Sequence, residues 1–493
     1  MKEMMLKGGA WSRSALGLLG VVLLSLSVVM AKERELPHIV VILVDDLGYG
    51  DPGCFNPDSK IPTPHMNRLA AQGMRFTDAH APGPLCHASR YGLMTGRYPF
   101  RTDVSRWPKE PLIDEDQMTI ASMLSGVGYK TTMVGKWHLG FREKGYDKVL
   151  PGGPADRGFD RFFGMRASTD IPPYFYIEGD RALREPTETI AANASDGWSP
   201  IQGEFWRKGR IAKGLSLAEV LPRFTDEAVK VIGEHGGRKH GGDPLFLYLA
   251  YTGPHTPWLP SEDFVGKSGA GMYGDFTMMV DAEIGRVLEA LAHAGMKDDT
   301  LVVLTSDNGP VWYERDVERF GHDSVGGLRG MKGDAWEGGH RMPFIVSWPG
   351  HVTAASTSDQ LICFTDLMAT FAEICEVDLP HHAAPDSFSF LSVLKGEQPA
   401  GQAVRGPMVM QAGNRKTMMI RSGDWKLIDA QGSGGFSKSG ETGPSYPEGQ
   451  LYNLRKDPAE KENLFDDKPA KVEELIKKLR EIEGSRGTRP GSS

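Results

Sequence analysis

Six side chains in this 493-residue sequence carry groups that can attack, stabilise charge or move protons, and each sits in a patterned context. Cys86 opens the run Cys86-His87-Ala88-Ser89-Arg90, which continues through an apolar turn into Thr95-Gly96-Arg97. A nucleophilic side chain and a permanent cation are therefore close neighbours. Lys136 and His138 flank Trp137, His255 closes Gly253-Pro254-His255, and Lys332 lies in Arg329-Gly330-Met331-Lys332-Gly333. Asp45-Asp46 and Asp307-Asn308 offer oxygen ligands only, a set that suits a hard divalent cation and above all Ca2+. Three carboxylates sharing one site need such compensation to stay ionised together. Taken singly, each group has a plainer role: an Asp pair after a strand caps turns, and a loop Lys or His is ordinarily solvated. The ordered combination is what calls for chemistry.

The elements that must position these groups follow from periodicity. His38 to Val44 is a continuous β-branched run, the mark of a strand buried on both faces, and it ends at Asp45-Asp46. Strands predicted over Tyr129–Gly135, Pro244–Tyr251 and Thr300–Ser306 lead in the same way to Lys136, His255 and Asp307. Open α/β sheets place ligands beyond the carboxyl ends of their strands, so these groups are expected to converge. Predicted helices over Pro64–Gly73, Thr119–Gly126, Leu217–Glu234 and Phe276–Gly295 alternate with them, and Arg90 to Gly96 reads as the start of another. The fold class is α/β, with a large mixed, mostly parallel sheet sandwiched by helices. After Gly396 short strands and turns give way to a closing helix, Ala470 to Glu483. This predicts a small antiparallel sheet plus helix, dividing a catalytic region, 32–400, from a C-terminal α+β subdomain, 401–493. Between Met165 and Leu215 the periodicity breaks down into a long loop bearing Arg166, Asp170, Tyr174, Tyr176 and Trp206. Asp170 is a candidate substrate contact, while the aromatics either form a rim suited to a sugar ring or pack the loop down.

The order and spacing of these motifs resemble the type I sulfatases of the alkaline-phosphatase superfamily, over nearly the whole chain after its leader. The resemblance implies that a formylglycine-generating maturation enzyme oxidises Cys86, and that the aldehyde hydrate is the nucleophile. It also implies one Ca2+ held by Asp45, Asp46, the residue-86 side chain, Asp307 and Asn308. Arg90 would orient the hydrate, and Lys136, His255 and Lys332 would bind sulfate. His255 and His138 would supply general acid and base, with their assignment open. His87 departs from the pattern at a position where Thr, Ser or Ala is common. A sulfate monoester repels anionic nucleophiles, so such a site needs a metal ion and several fixed positive groups. A geminal diol can attack sulfur, expel the alcohol and then release sulfate through its second hydroxyl, an exit that an ordinary Ser or Cys ester lacks.

Composition sets the surroundings. Lys2, Lys7 and Arg13 precede an apolar run from Ala15 to Val29 that closes on Val29-Met30-Ala31, so residues 1–31 read as a secretory signal peptide. The run is shorter than the ~20 residues that span a bilayer, which favours a periplasmic or secreted protein without a stable membrane anchor. A formal net charge of −8 argues against a nucleic-acid partner. Four cysteines are too few for a disulfide scaffold. Cys363 and Cys375 fall in one predicted helix, ~18 Å apart, which excludes a bond between them. Cys54 reads as a small packed hydrophobe. His322, His340, His381 and His382 lack chemical context and read as surface or packing residues. Asp323 and Trp336-Glu337-Gly338-Gly339 read as shaping the loop around Lys332.

The expected function is hydrolysis of sulfate esters on carbohydrates. Three other readings compete: a phosphomonoester, phosphodiester or phosphonate hydrolase of the same superfamily, a glycan-binding protein with a decayed site, and a cysteine protease. The last leaves both acidic pairs unexplained.

Overall fold

The β-branched run His38–Asp45 is wholly buried apart from its first residue, as a strand with apolar side chains on both faces must be. The computed structural model of the protein describes residues 36–108, 110–236, 242–438 and 442–492; the expected leader lies outside them. His38–Asp45 sits inside a ten-stranded sheet, paired in parallel with Thr300–Ser306 on one side and Leu245–Pro254 on the other. Lys130–Lys136 and then Arg161–Met165 extend the parallel set. Outside these five the sheet becomes mixed: Phe344–Ser347 runs antiparallel to Thr300–Ser306, and the short hairpin Ile177–Glu178 and Arg181–Ala182 closes the other edge.

Alternation along the strand builds two cores. Ile39, Val41 and Leu43 face one, and Val40, Ile42 and Val44 face the other. Helices Cys86–Thr95, Ile120–Gly126 and Asp366–Ile374 cover the first face, and Pro64–Gln72, Val220–Gly236 and Gly271–His293 cover the second. Each buried aliphatic side chain contributes ~2 kcal/mol on leaving water, so the sheet is held from both sides. Val44 stands level with Ser306, and Ala250 with Gly135, which brings four strand ends to one edge. Gly135 is required at that edge. Its φ is 115°, and a Cβ there would lie 1.9 Å from the Ala250 carbonyl oxygen.

The C-terminal strands Met408–Gln411, Met418–Ser422, Trp425–Ile428 and Gln450–Asn453 form a separate antiparallel sheet in sequence order. Helix Pro469–Gly484 covers one face through Val472, Leu475 and Leu479, and the opposite face packs on Tyr98, Ala335 and Trp336. Residues from Leu36 onward cluster as one compact unit that includes this sheet.

Several expectations change in detail. The helix expected from Arg90 starts at Cys86, because Leu85 is extended and its carbonyl already accepts the Ser89 N–H at 2.9 Å. Cys363 and Cys375 do not share a helix: Cys363 ends the two-residue strand Ile362–Cys363, and Cys375 caps the helix Asp366–Ile374. Thr365 and Asp366 form the break between them, and none of the four cysteines is in a disulfide. The long Met165–Leu215 segment carries a two-stranded ribbon, Glu188–Ile190 with Gly209–Ile211. Tyr174 within it is fully buried, its hydroxyl bonded to the carbonyls of Asp170 and Arg207, so this aromatic packs the loop down. Among the described residues, no helix is long and apolar enough to cross a membrane.

Candidate active site

The acidic groups meet because their strands end together. Asp45 closes its strand, and Asp46 follows in the left-handed region at φ 63°, an uncommon conformation for Asp that redirects the chain immediately after the strand. The Asp307 N–H donates to the Val44 carbonyl at 3.0 Å, and the Asp46 N–H to Asp307 Oδ1 at 3.3 Å. Asn308 Nδ2 donates to Asp46 Oδ1 at 2.6 Å, which leaves Asn308 Oδ1 buried without a partner. One ligand atom from each of Asp45, Asp46, Cys86 and Asp307 lies within 4.8 Å of all the others. Three carboxylates, a spare amide oxygen and the residue-86 side chain fit a hard divalent cation.

Three cations brace this acidic cluster. Arg90, fully buried, donates from Nε to Asp307 Oδ2 at 2.9 Å and from Nη1 to the Lys136 carbonyl at 2.8 Å. Lys136 Nζ lies 2.6 Å from Asp45 Oδ2, and Lys332 Nζ lies 2.6 and 2.8 Å from the two oxygens of Asp46. Burial opposes charge on all of them. At Asp45 burial works to raise the pKa, but Lys136, His255 and Arg90 hold it below the ordinary carboxylate value. At Asp307 burial and the Asp45 charge prevail and the value rises. Burial disfavours the Lys332 ammonium, yet Asp46 keeps its pKa above the usual lysine value.

Cys86 Sγ, in the position the oxygens of a converted residue would take, points at this cluster, 3.4 Å from Asp45 Oδ1 and 3.9 Å from Asp46 Oδ1. Burial and Asp307 push the thiol well above its usual value. Thiolate chemistry needs the opposite environment, so the geometry speaks against a cysteine protease. His138, at φ 59°, packs against Trp107 with ring centroids 4.4 Å apart. Its Nδ1 is buried without a partner, and burial followed by Lys136 depresses its pKa well below the ordinary value, leaving it neutral. His255 faces the cluster through Nε2, 3.8 Å from Asp46 Oδ2, while its Nδ1 is 2.7 Å from the Thr256 carbonyl. That carbonyl can only accept, so Nδ1 carries a proton and Nε2 is the nitrogen presented to the site.

All six candidate catalytic residues, the ligand set and Asp170 are thus gathered at one strand edge, beneath a cleft of about 270 Å³. Asp170 is buried beside His255, with Oδ1 3.9 Å from His255 Nδ1 and no hydrogen-bond partner of its own. Its Oδ2 pairs with Arg207, whose side chain is half-exposed in the cleft. Sequence reasoning did not single out Arg207, Trp107 or Phe436 as cleft residues. None belongs to a motif, and each arrives on a loop that is not one of the central strand ends carrying the other groups. His87, noted only as a departure, stacks on Trp107 with centroids 5.5 Å apart, and burial followed by Lys136 lowers its pKa to about 4.

His322 and His340 are packing residues in a stronger sense than expected, because both are fully buried and hydrogen-bonded. His322 Nε2 meets Asp51 Oδ1 at 2.8 Å, and His340 Nδ1 meets His80 Nδ1 at 2.9 Å.

Among families of known proteins, the one described as Sulfatase matches residues 37–377. The chain belongs to the sulfatase family. A second description, N-sulphoglucosamine sulphohydrolase, C-terminal, matches residues 332–485 of this sulfatase. It is 33% identical to an N-acetylgalactosamine-6-O-sulfatase of Bacteroides thetaiotaomicron, over 92% of this chain and 94% of that one. It is 31% identical to arylsulfatase A of Homo sapiens, over 94% and 89% of the two chains. A solved structure from glycosaminoglycan metabolism by Bacteroides thetaiotaomicron superposes with a TM-score of 0.80 at 31% identity, covering 91% of this chain and 99% of that one. The sulfatase is therefore a sulfuric ester hydrolase with an alkaline-phosphatase-like fold, and these relatives do not favour the phosphate- or phosphonate-ester reading.

Proposed function

We propose that this sulfatase is an exported enzyme that removes sulfate from carbohydrate esters, using formylglycine at position 86 and one Ca2+. The observation that carries the reading is the position of the residue-86 side chain. It lies against two Asp carboxylates and on the same cleft as Lys332 and His255. The names of the relatives support a sulfated glycan as substrate, and a cleft that combines Asp170 and Arg207 suits sugar hydroxyls.

In this reading Asp45, Asp46, Asp307 and Asn308 hold the cation, which would polarise a sulfate oxygen. Residue 86 as a hydrated aldehyde would supply the attacking oxygen and a second hydroxyl for release. Lys136, Lys332 and His255 bind the sulfate oxygens and offset their charge, and Arg90 keeps residue 86 in line by pairing with Asp307. In its doubly protonated form, with Nδ1–H held by the Thr256 carbonyl, His255 gives the Nε2 proton to the leaving alcohol. His138, neutral and with an unpartnered nitrogen, takes the proton that allows sulfate to depart. Asp170 accepts from a hydroxyl of the leaving sugar through its free oxygen.

The implied partners are a sulfated carbohydrate and a formylglycine-generating maturation enzyme. The implied location is periplasmic or extracellular, by way of the apolar leader. We also propose the division near residue 400 as a boundary between sequence modules that fold into one unit.

Mass spectrometry of the peptide containing residue 86 tests the chemistry: conversion of the thiol to an aldehyde lowers its mass by ~18 Da. Fully active enzyme that retains the thiol would overturn the mechanism. Rates on matched sulfate and phosphate esters, followed by a panel of sulfated mono- and disaccharides, test the substrate class.

A further inference from the structure

The large hydrophobic side chains most exposed among the described residues are Val149, Leu183, Val265, Phe436 and Tyr446; only Phe436 lines the catalytic cleft, at 43% exposure and together with Lys332. It arrives from the C-terminal sheet, on the loop that follows Trp425–Ile428. That loop is clamped onto the Lys332 loop. Buried Asp334 accepts the Met331 N–H at 2.7 Å, the Ser433 hydroxyl at 2.8 Å, the Ser437 N–H at 3.2 Å and the Ser437 hydroxyl. The Ala335 N–H donates to the Ser433 carbonyl at 2.8 Å, and the Phe436 N–H donates to the carbonyl of Lys332 itself at 3.3 Å. Gly435 lets the two backbones touch, since a Cβ there would lie 2.1 Å from the Gly333 carbonyl carbon. The ring therefore stands in the cleft on a fixed backbone tied to a sulfate-binding residue.

An aromatic face held in water beside a catalytic cation is a ready surface for the apolar face of a ring, and little backbone ordering is needed when that ring binds. We infer that Phe436 is a specificity-determining platform for the alcohol side of the ester, against which a pyranose or aryl ring stacks while its sulfate reaches Lys332. This deepens the carbohydrate reading and rests on it for the sugar, though not for the aryl ring. The C-terminal sheet thereby contributes directly to substrate choice, and short alkyl sulfates gain nothing from it.

The test uses the matured full chain and its Phe436→Ala and Phe436→Trp variants. Substrates are a sulfated monosaccharide, 4-nitrophenyl sulfate and methyl sulfate, with inorganic sulfate as a competitive inhibitor. Phe436→Ala is expected to raise KM about tenfold for the two ring-bearing esters, with kcat little changed. KM for methyl sulfate and the inhibition constant for inorganic sulfate should stay as in the parent, and Phe436→Trp should restore the ring-bearing esters. Unchanged KM for the ring-bearing esters overturns the platform. So does a parallel rise in the sulfate inhibition constant, which would mean that Phe436 only props the Lys332 loop. If the parent cleaves 4-nitrophenyl sulfate but no sulfated sugar, the carbohydrate reading falls, and the platform is judged on the aryl ester alone.

Discussion

Two of the buried charge clusters among the described residues make an instructive pair, one beneath the catalytic cleft and one away from it. At the strand ends, Asp45, Asp46 and Asp307 face Arg90, Lys136 and Lys332, and buried acceptors on Asn308 and Asp170 lack partners. Between the two sheets, Lys426 Nζ joins Glu337 at 2.9 Å and Glu460 at 2.8 Å, Arg421 meets Asp78 at 3.0 Å, and His80 bridges Asp78 and His340. The second cluster also groups His80, Glu337 and His340 closely enough to hold a metal ion. Its carboxylates already face Lys426 and Arg421, however, and none of its residues lines the catalytic cleft, so it reads as a fastener between layers. Burial of charge alone does not mark a reactive site. An unsatisfied acceptor at the edge of an open space does.

Breaking each cluster should therefore give opposite results. Cys86→Ala should lower turnover by about 10⁴-fold or more while circular dichroism and the thermal midpoint stay near the parent. Lys426→Met leaves Glu337 and Glu460 buried without their shared cation and should cost about 3–5 kcal/mol in denaturant unfolding, with activity per folded molecule largely kept. If Lys426→Met instead abolished catalysis in a stable protein, the contrast drawn between the clusters would fail. Ca2+ at about one hundred times its Kd should add ~2.7 kcal/mol to unfolding stability, and Asp307→Asn should remove most of that increment, as read by calorimetry with and without chelator.

The smallest effect concerns pH. Burial followed by His235 lowers His38 from 6.5 to about 4, and burial foremost also lowers His80 and His340. Unfolded chains bind these protons first, so this stability is complete above 6.5 and is lost as pH falls, for His38 across the interval down to about 4. Burial raises Glu460 to about 7, which works in the opposite sense, with stability present near 4.5 and lost as pH rises through 7. Thermal midpoints measured from pH 4 to 7 should show the His38 share as a loss on the acid side. Substituting His38 with Gln should flatten the acid side of that curve.

Much of the site was legible because its carriers are strands with unmistakable composition. A run such as Thr300–Ser306 announces both its burial and the place where its cargo, Asp307-Asn308, will appear. The His80–His340 contact was not legible, since it joins a two-residue strand, Ala79–His80, to a four-residue helix, Glu337–His340, from distant parts of the chain, both too short to show a period. The same holds for Phe436, whose position depends on Asp334 and Gly435 bringing two backbones together. Cys363 and Cys375 misled for a local reason: their spacing fits one helix, but Thr365-Asp366 begins a new one.

Cys86 lies in the first turn of a helix whose next residues Tyr91, Leu93 and Met94 are core, and only 4% of its surface is exposed. On the formylglycine reading this burial imposes an order of events. Once the chain has folded the thiol sits at the floor of a cleft of about 270 Å³, too small to admit another enzyme, so on this reading the oxidation belongs to the extended chain. A molecule that folds first is stable, correctly shaped and permanently idle, and a preparation's activity reports how conversion competed with folding.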